Sequence, residues 1–497
     1  MSTLAEIQNF KGKYPKQLWY LFFSEMWERF CFYGMRGMLA VFIVSQLKMD
    51  EGTANLQYGA IQAFVYAFTF IGGLFADKIL GFRKSLFWGG LLMIAGSLIL
   101  SLGINVNQSV DSNHFWFFLG TSFTIIGTGF FKPNISTMVG SLYHENDSRR
   151  DAGFSLFYAG INVGALLGGY ACIAIANSYS WNLAFGLAAV VMTISLVTFI
   201  FTQKSLGPIG LSPLNEGKGN RIAELAVYIG SLAVIPVIMM MVAKTEYTDY
   251  FMYTIGPAAL LYIIFELRKY SKTEVNKLIA ALVFIFFSIV FWGIYEQSGG
   301  SLALFARENL HNTILGMQFD PNGINNSANA LFVIIFAPIL GLIWVWMSKR
   351  NLEPNTLIKF GLGFIFLAGG FFVFYQTKFF ADANGVTSLE VFTLAYFVIT
   401  FGELCLSPIG LSIMTKLSPQ PLQGMMMGMW FLASAYGQYV AGIIGAGMSD
   451  PNPKASLMEK LISYTNGYEQ LALYSVICGI ILIAISPAVK KLMGDIK

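Results

Sequence analysis

The stretch FFSEMWERFCFYGMRGM, residues 22–38, decides how this chain is read. It lies in an apolar run long enough to cross a bilayer, yet it holds Glu25, Glu28, Arg29 and Arg36. Taken as one helix from about Lys16 to Lys48, it sets Glu25, Glu28/Arg29, Phe32 and Arg36 on one face. At 1.5 Å per residue, Glu25 lies about 14 Å from Lys16 and Arg36 about 18 Å from Lys48. Neither is then an interfacial residue. A charge in the bilayer interior costs roughly 2.5–3.5 kcal/mol on insertion scales, so such residues face protein or a wet cavity and usually carry function. A structural ion-pair cluster that locks helix packing is the plainer reading, and the two are compatible.

Composition agrees with a membrane setting. Of 497 residues, 56% are hydrophobic, 12% are charged and 45 are Phe, where soluble domains carry about a quarter charged residues. Apolar stretches of span length recur from end to end. This predicts an all-α integral membrane protein and excludes a β-barrel, whose segments would be short and alternate in polarity. The first residues, MSTLAEIQNFKGKYPKQ, are polar, and the first apolar run is too long and too charged for a cleavable signal peptide. Cys31, Cys172, Cys405 and Cys478 lie in apolar segments with no metal spacing or pairing pattern and read as buried small residues.

Fourteen candidate spans fit between residues 17 and 489, the ninth running over 278–304. Loops of one side then carry 22 of the 31 Lys and Arg, and loops of the other carry 6. Because cytoplasmic loops collect basic residues, both termini are expected in the cytoplasm. The three basic residues left within spans are Arg29, Arg36 and Lys132; the acids sorted there are Glu25, Glu28, Glu296 and Glu403. The polar stretch KSLGPIGLSPLNEGKGN, residues 204–220, reads as a linker. The expected organisation is a six-helix bundle over 1–203, the linker, an extra transmembrane hairpin over 221–270 and a second six-helix bundle over 271–497. GLFADKILGFRK, residues 73–84, resembles the cytoplasmic motif of the major facilitator superfamily through Gly73, Asp77, Gly81, Arg83 and Lys84. Its physical sense is close helix approach at glycine, with Asp77 at a helix end near basic partners.

Several segments together resemble one family of that superfamily, the bacterial proton-coupled oligopeptide transporters. EMWERFCFYGMR resembles the ExxER motif of its first helix, and FSLFYAGINVGAL, residues 154–166, its signature on the fifth. FFKPNIST, FWGIYEQSGGS, FGELCLSPIGLS and GMWFLASA resemble further core segments. The resemblance spans nearly the whole chain. It departs at Phe32, where a tyrosine is common, at Ala330, where the family's Asn-Pro segment has proline, and near Gly59, where animal members carry histidine. The resemblance implies the fourteen-helix major facilitator fold and proton-driven import of di- and tripeptides across the bacterial inner membrane by alternating access. The protein would act as a monomer, with lipid around it, no nucleic acid partner, and no cofactor beyond protons as the coupling ion.

The charges sort by half. Arg29, Arg36 and Lys132 with Glu25 and Glu28 leave the first half with a surplus cation, while Glu296 and Glu403 make the second half acidic. A peptide zwitterion suits that division. Depth in the spans pairs Arg36 with Glu296 and Lys132 with Glu403 as gates, and the resemblance implies the same pairs. It further implies that Tyr33, Arg36 and Lys132 hold the peptide carboxylate, that Asn162, Asn329 and Glu403 hold its ammonium, and that Tyr66, Trp430 and Ser434 shape side-chain pockets. Proton coupling is expected at Glu25, Glu28, Arg29 and Glu296, with the proton-carrying glutamate left open. A transporter of another small anion or organic ion, such as nitrate, on the same scaffold is the alternative; Glu296 and Glu403 favour a substrate with a cationic group. An enzyme is not expected, because His114, His144 and His311 lie in or beside loops and no nucleophile or metal spacing falls where it would matter.

Overall fold

The computed structural model describes residues 3–105, 108–144, 147, 149–214, 218–406, 410–452 and 454–494. The chain is helical almost throughout and forms two compact units, Met1–Lys48 with Phe64–Lys244, and Met49–Ala63 with Thr245–Lys497.

The first unit holds α1 (Leu4–Gln8), α2 (Lys16–Ser45), the later half of α3 (Glu51–Phe75), α4 (Phe82–Gly103), α5 (Val110–Ser141), α6 (Arg150–Ser178), α7 (Trp181–Thr202), α8 (Lys218–Ala233) and α9 (Ile235–Ala243). α2 packs on α6 and α7, and α4 on α5 and α7. α3 ends in a π-helical turn over Ala76–Leu80, closed by Gly81 at φ 75°. Close approach at glycine is found at Gly81, where a Cβ would lie 2.5 Å from the Leu211 carbonyl carbon, and at Gly72, the neighbour of Gly73. A Cβ on Gly72 would lie 2.2 Å from the Gly129 carbonyl oxygen, whereas one on Gly73 would only touch Pro133 at 3.8 Å. Arg83 spans back to the segment after α7: its Nε donates to the Ile209 carbonyl at 2.7 Å and its Nη2 to that of Gly207 at 2.5 Å. Ser212 donates to the Ile79 carbonyl at 2.7 Å. The part of the expected linker over 204–214 is therefore clasped to the motif that precedes α4; residues 215–217 lie outside the described ones.

The second unit holds the first turns of α3, α10 (Thr245–Glu266), α11 (Lys272–Tyr295), α12 (Ser301–Asn309), a two-stranded hairpin of β1 (Thr313–Ile314) and β2 (Met317–Gln318), α13 (Pro321–Ser348), α14 (Thr356–Gln376), α15 (Leu389–Leu406), α16 (Gly410–Leu417), α17 (Gln423–Met448) and α18 (Leu457–Met493). α14 packs on α15 and α18, and α11 on α17. Ser271 with Glu274 and Ser456 with Glu459 close capping boxes that start α11 and α18, as the S-x-x-E pattern dictates. Gly59 faces α17 so closely that a Cβ would lie 2.7 Å from the Gly442 Cα. No side chain, histidine included, fits at that position.

Eleven helices among the described residues, with Arg221–Ala243 counted as one, are long and apolar enough to cross a membrane. α2, α5 and α17 are not among them: α2 carries its four charges, and α5 and α17 are diluted by glycine and hydroxyl residues. Two expected spans are interrupted. The 278–304 helix breaks after Tyr295 and resumes at Ser301, with Glu296 as the cap and Gly299–Gly300 in the turn. The 222–243 arm breaks at Val234, where Pro236 follows in the first turn of α9 and has no amide hydrogen to donate. Of the segment FGELCLSPIGLS, the described residues are helical to Leu406 in α15 and from Gly410 in α16, and 407–409 lie outside the described residues. The sorting of acids also omits Glu469. α18 begins at Leu457, so Glu469 lies three turns inside a candidate span, on an open groove of about 610 Å³ lined by Ala368, Phe372 and Leu473.

The two arms expected as one hairpin belong to different units. In the first, Lys84 Nζ lies 2.6 Å from Glu224 of α8 and Trp88 Nε1 donates to Ser231 at 3.0 Å. In the second, the Tyr439 hydroxyl of α17 donates to Asp249 of α10 at 2.5 Å, and Tyr436 accepts from the Gly256 amide at 3.0 Å while donating to the Met252 carbonyl.

Candidate functional site

In the first unit the charged face of α2 is built as its spacing requires. Arg29 Nε lies 3.1 Å from Glu25 Oε1 and also meets Glu28 Oε2. The three residues are 1%, 2% and 0% exposed, respectively. Carboxylates and a guanidinium taken out of water at this depth are tolerable only because they compensate one another. The Arg29 guanidinium also stands 5.3 Å from the Phe32 ring centroid. Lys132 of α5 reaches the same ring at 5.9 Å and stands closer, 4.3 Å, over Tyr66 of α3. The departure from tyrosine at Phe32 thus leaves an apolar ring that offers its electron-rich face to two cations. Arg36 lies two turns on, buried, 5.8 Å from the Tyr33 ring. Asn162 of α6 is buried and turns its amide to its own helix, donating to the Tyr158 carbonyl at 3.0 Å. The structure therefore gathers Glu25, Glu28, Arg29, Phe32, Lys132 and Tyr66 into one cluster.

The second unit carries an acidic station of different construction. Glu403 of α15 accepts two hydrogen bonds at one oxygen, Oε2: from the Asn329 amide of α13 at 3.0 Å and from the Tyr295 hydroxyl of α11 at 2.5 Å. Asn329 is held in turn by Thr400 Oγ1 at 3.2 Å. One turn earlier on α13, Asn325 accepts from the Tyr396 hydroxyl at 2.6 Å and donates to the Ser298 carbonyl at 2.6 Å. The broken end of α11 is thus tied to α13 and α15. α13 stays helical through Ala330, and its internal proline is Pro338 instead. Glu296 is 5% exposed and caps α11. Trp430 and Ser434 share a face of α17, where Ser434 donates to the Trp430 carbonyl at 3.3 Å.

Sequence reasoning selected Glu403 and Asn329 but passed over Tyr295 and Thr400, which complete their bonding. It also passed over a cluster at the start of α18, where Lys460 Nζ lies 2.6 Å from Glu51 and 2.5 Å from Glu308, and the Tyr464 hydroxyl donates to Glu51. Acids 51 and 308 and a lysine at 460 give no local signal. Among the described residues, no group of three His, Cys, Asp or Glu is placed to hold a metal ion.

The pattern that defines the POT family matches residues 83–460. A transporter of Bacillus subtilis (strain 168) named YclF, of uncharacterized activity, is 34% identical over 97% of this chain and 96% of its own length. The chain belongs to the POT family. Another similar protein, the peptide transporter YePEPT of Yersinia enterocolitica subsp. palearctica serotype O:3 (strain YE-P4), is 32% identical over 97% of this chain and 96% of its own. Among solved structures, a mutant peptide transporter POT in complex with alafosfalin superimposes with a TM-score of 0.84. It is 31% identical and covers 99% of this chain and 100% of that one. These POT relatives are transporters, not enzymes. With its apolar helices, this POT member is a multi-pass membrane protein.

Proposed function

We propose that the protein is a proton-coupled symporter that imports di- and tripeptides across a bacterial inner membrane by alternating access. One observation carries the reading: the two units hold stations of opposite character. The first has Arg36 and Lys132 beside Tyr33 and Tyr66; the second has Glu403 fixed by Asn329. A dipeptide zwitterion has its carboxylate and ammonium at opposite ends, so the carboxylate engages Arg36 and Lys132 and the ammonium engages Glu403, Asn162 and Asn329. Tyr66, Trp430 and Ser434 border its side chains. The ordering as two six-helix bundles with a hairpin between them, fourteen spanning helices in all, and the cytoplasmic termini rest on the lopsided loop charge. The protein is proposed to act as a monomer with no cofactor.

Coupling follows from competition. A proton on Glu296 weakens its hold on Arg36, and a proton on Glu25 or Glu28 weakens the hold on Arg29. The peptide carboxylate then takes the released cation, so proton loading and peptide loading favour the same conformers. Lys132 with Glu403 forms the second gate. The test is uptake of labelled dialanine into proteoliposomes with and without an inward proton gradient. Accumulation above equilibrium with the gradient, and only equilibration without it, is the expected result; uptake indifferent to the gradient would sink the reading.

A further inference from the structure

We infer that Tyr295 is a positioning residue for the amine end of the substrate, acting through Glu403; this rests on the peptide-transport reading above. The geometry is specific. The Tyr295 hydroxyl and the Asn329 amide converge on the same oxygen of Glu403, at 2.5 and 3.0 Å. The ring that carries the hydroxyl is itself set, stacked on Phe291 with centroids 5.7 Å apart and 16° between planes, and edge-on to Trp292 at 5.2 Å. Asn329 is braced by Thr400, whose own hydroxyl donates to the Tyr396 carbonyl at 2.7 Å. A carboxylate with two donors on one oxygen is held in a single orientation before any ligand arrives. An ammonium that binds it does not bear the cost of ordering that side chain. Tyr295 also closes the last turn of α11, immediately before Glu296, so the residue that orients the acidic station lies at the point where that helix breaks.

The consequence is a specificity for charged amino termini that the hydroxyl supports and the ring alone does not. Tyr295→Phe keeps the stacking and removes the donor. The experiment measures dialanine uptake kinetics in proteoliposomes, together with the inhibition constant of N-propionyl-alanine, which has hydrogen in place of the amino group. Tyr295→Phe is expected to raise KM for dialanine about tenfold, the loss of one hydrogen bond to a charged group, with the maximal rate within about twofold. The inhibition constant for N-propionyl-alanine is expected to stay unchanged. Tyr295→Gln, which restores an N–H donor, is expected to recover part of the dialanine affinity, and it gives the same readout if the Phe variant is not recovered folded. Equal changes for both ligands, or no change for either, would overturn the assignment while leaving peptide transport intact. A wild-type protein that takes up no dialanine would overturn the transport reading and this inference with it.

Discussion

Arg29 sits with two carboxylates against the Nε of its guanidinium, inside a helix and all but sealed from solvent. Removing one member of such a set leaves an uncompensated buried charge, which costs about 3–5 kcal/mol. Arg29→Met is therefore expected to lower the melting temperature of the purified protein clearly, whether or not transport is assayed; an unchanged melting curve would mean the cluster contributes nothing to the fold. The two acids separate function from packing. Glu28→Gln keeps the side-chain shape and removes a titrating group. It is expected to abolish gradient-driven accumulation of dialanine while peptide exchange across the membrane persists. Should Glu28→Gln still accumulate peptide, the proton site must lie at Glu25 or Glu296. This cluster was legible in the sequence because a charge deep in an apolar run stands out against its cost. Tyr295 was not. A tyrosine in a chain of 23 tyrosines and 45 phenylalanines carries no signal until its hydroxyl is seen against Glu403.

At the scale of helices, hydrophobic runs and loop charge locate most elements, and what they miss is local backbone chemistry. Pro236 divides an arm that looks continuous, and Gly299–Gly300 break one that looked longer than it is. Glycine in the 73–84 motif hints at close packing but not which glycine serves: Gly72 and Gly81 do, and Gly73 does not. Gly72→Leu is expected to force α3 from α5 and lower stability by about 1–3 kcal/mol or more, while Gly73→Leu should be tolerated; comparable melting temperatures for the two would contradict this packing. α10 is fastened to α17 by two tyrosines. In a double-mutant cycle, Asp249→Asn and Tyr439→Phe should each destabilise, and the pair together less than the sum, by about 1 kcal/mol of coupling. Strict additivity would mean that the bond does not form in solution.

For the molecule as a whole, the sequence divides charge between loops, and the structure divides the chain between units; the two divisions differ. Loop charge predicts sidedness. In a background without the native cysteines, Lys378→Cys is expected to react with a membrane-impermeant maleimide added to intact cells, and Lys349→Cys only after lysis. The reverse pattern would invert the assigned topology. The units ask something else of the chain. Residues 49–63 belong with Thr245–Lys497, although they are made with the first helices. Asn55 ends up donating to Ser449, and Gly59 lies against Gly442. At roughly 5–20 residues per second, about 380 further residues take roughly 20 to 80 seconds to synthesise. For that interval the opening turns of α3, with Asn55, Gln57 and Gln62 along them, stand in the membrane before their final neighbours exist. The early helices must therefore wait, held by provisional company, and the fold cannot be completed in the order in which it is written.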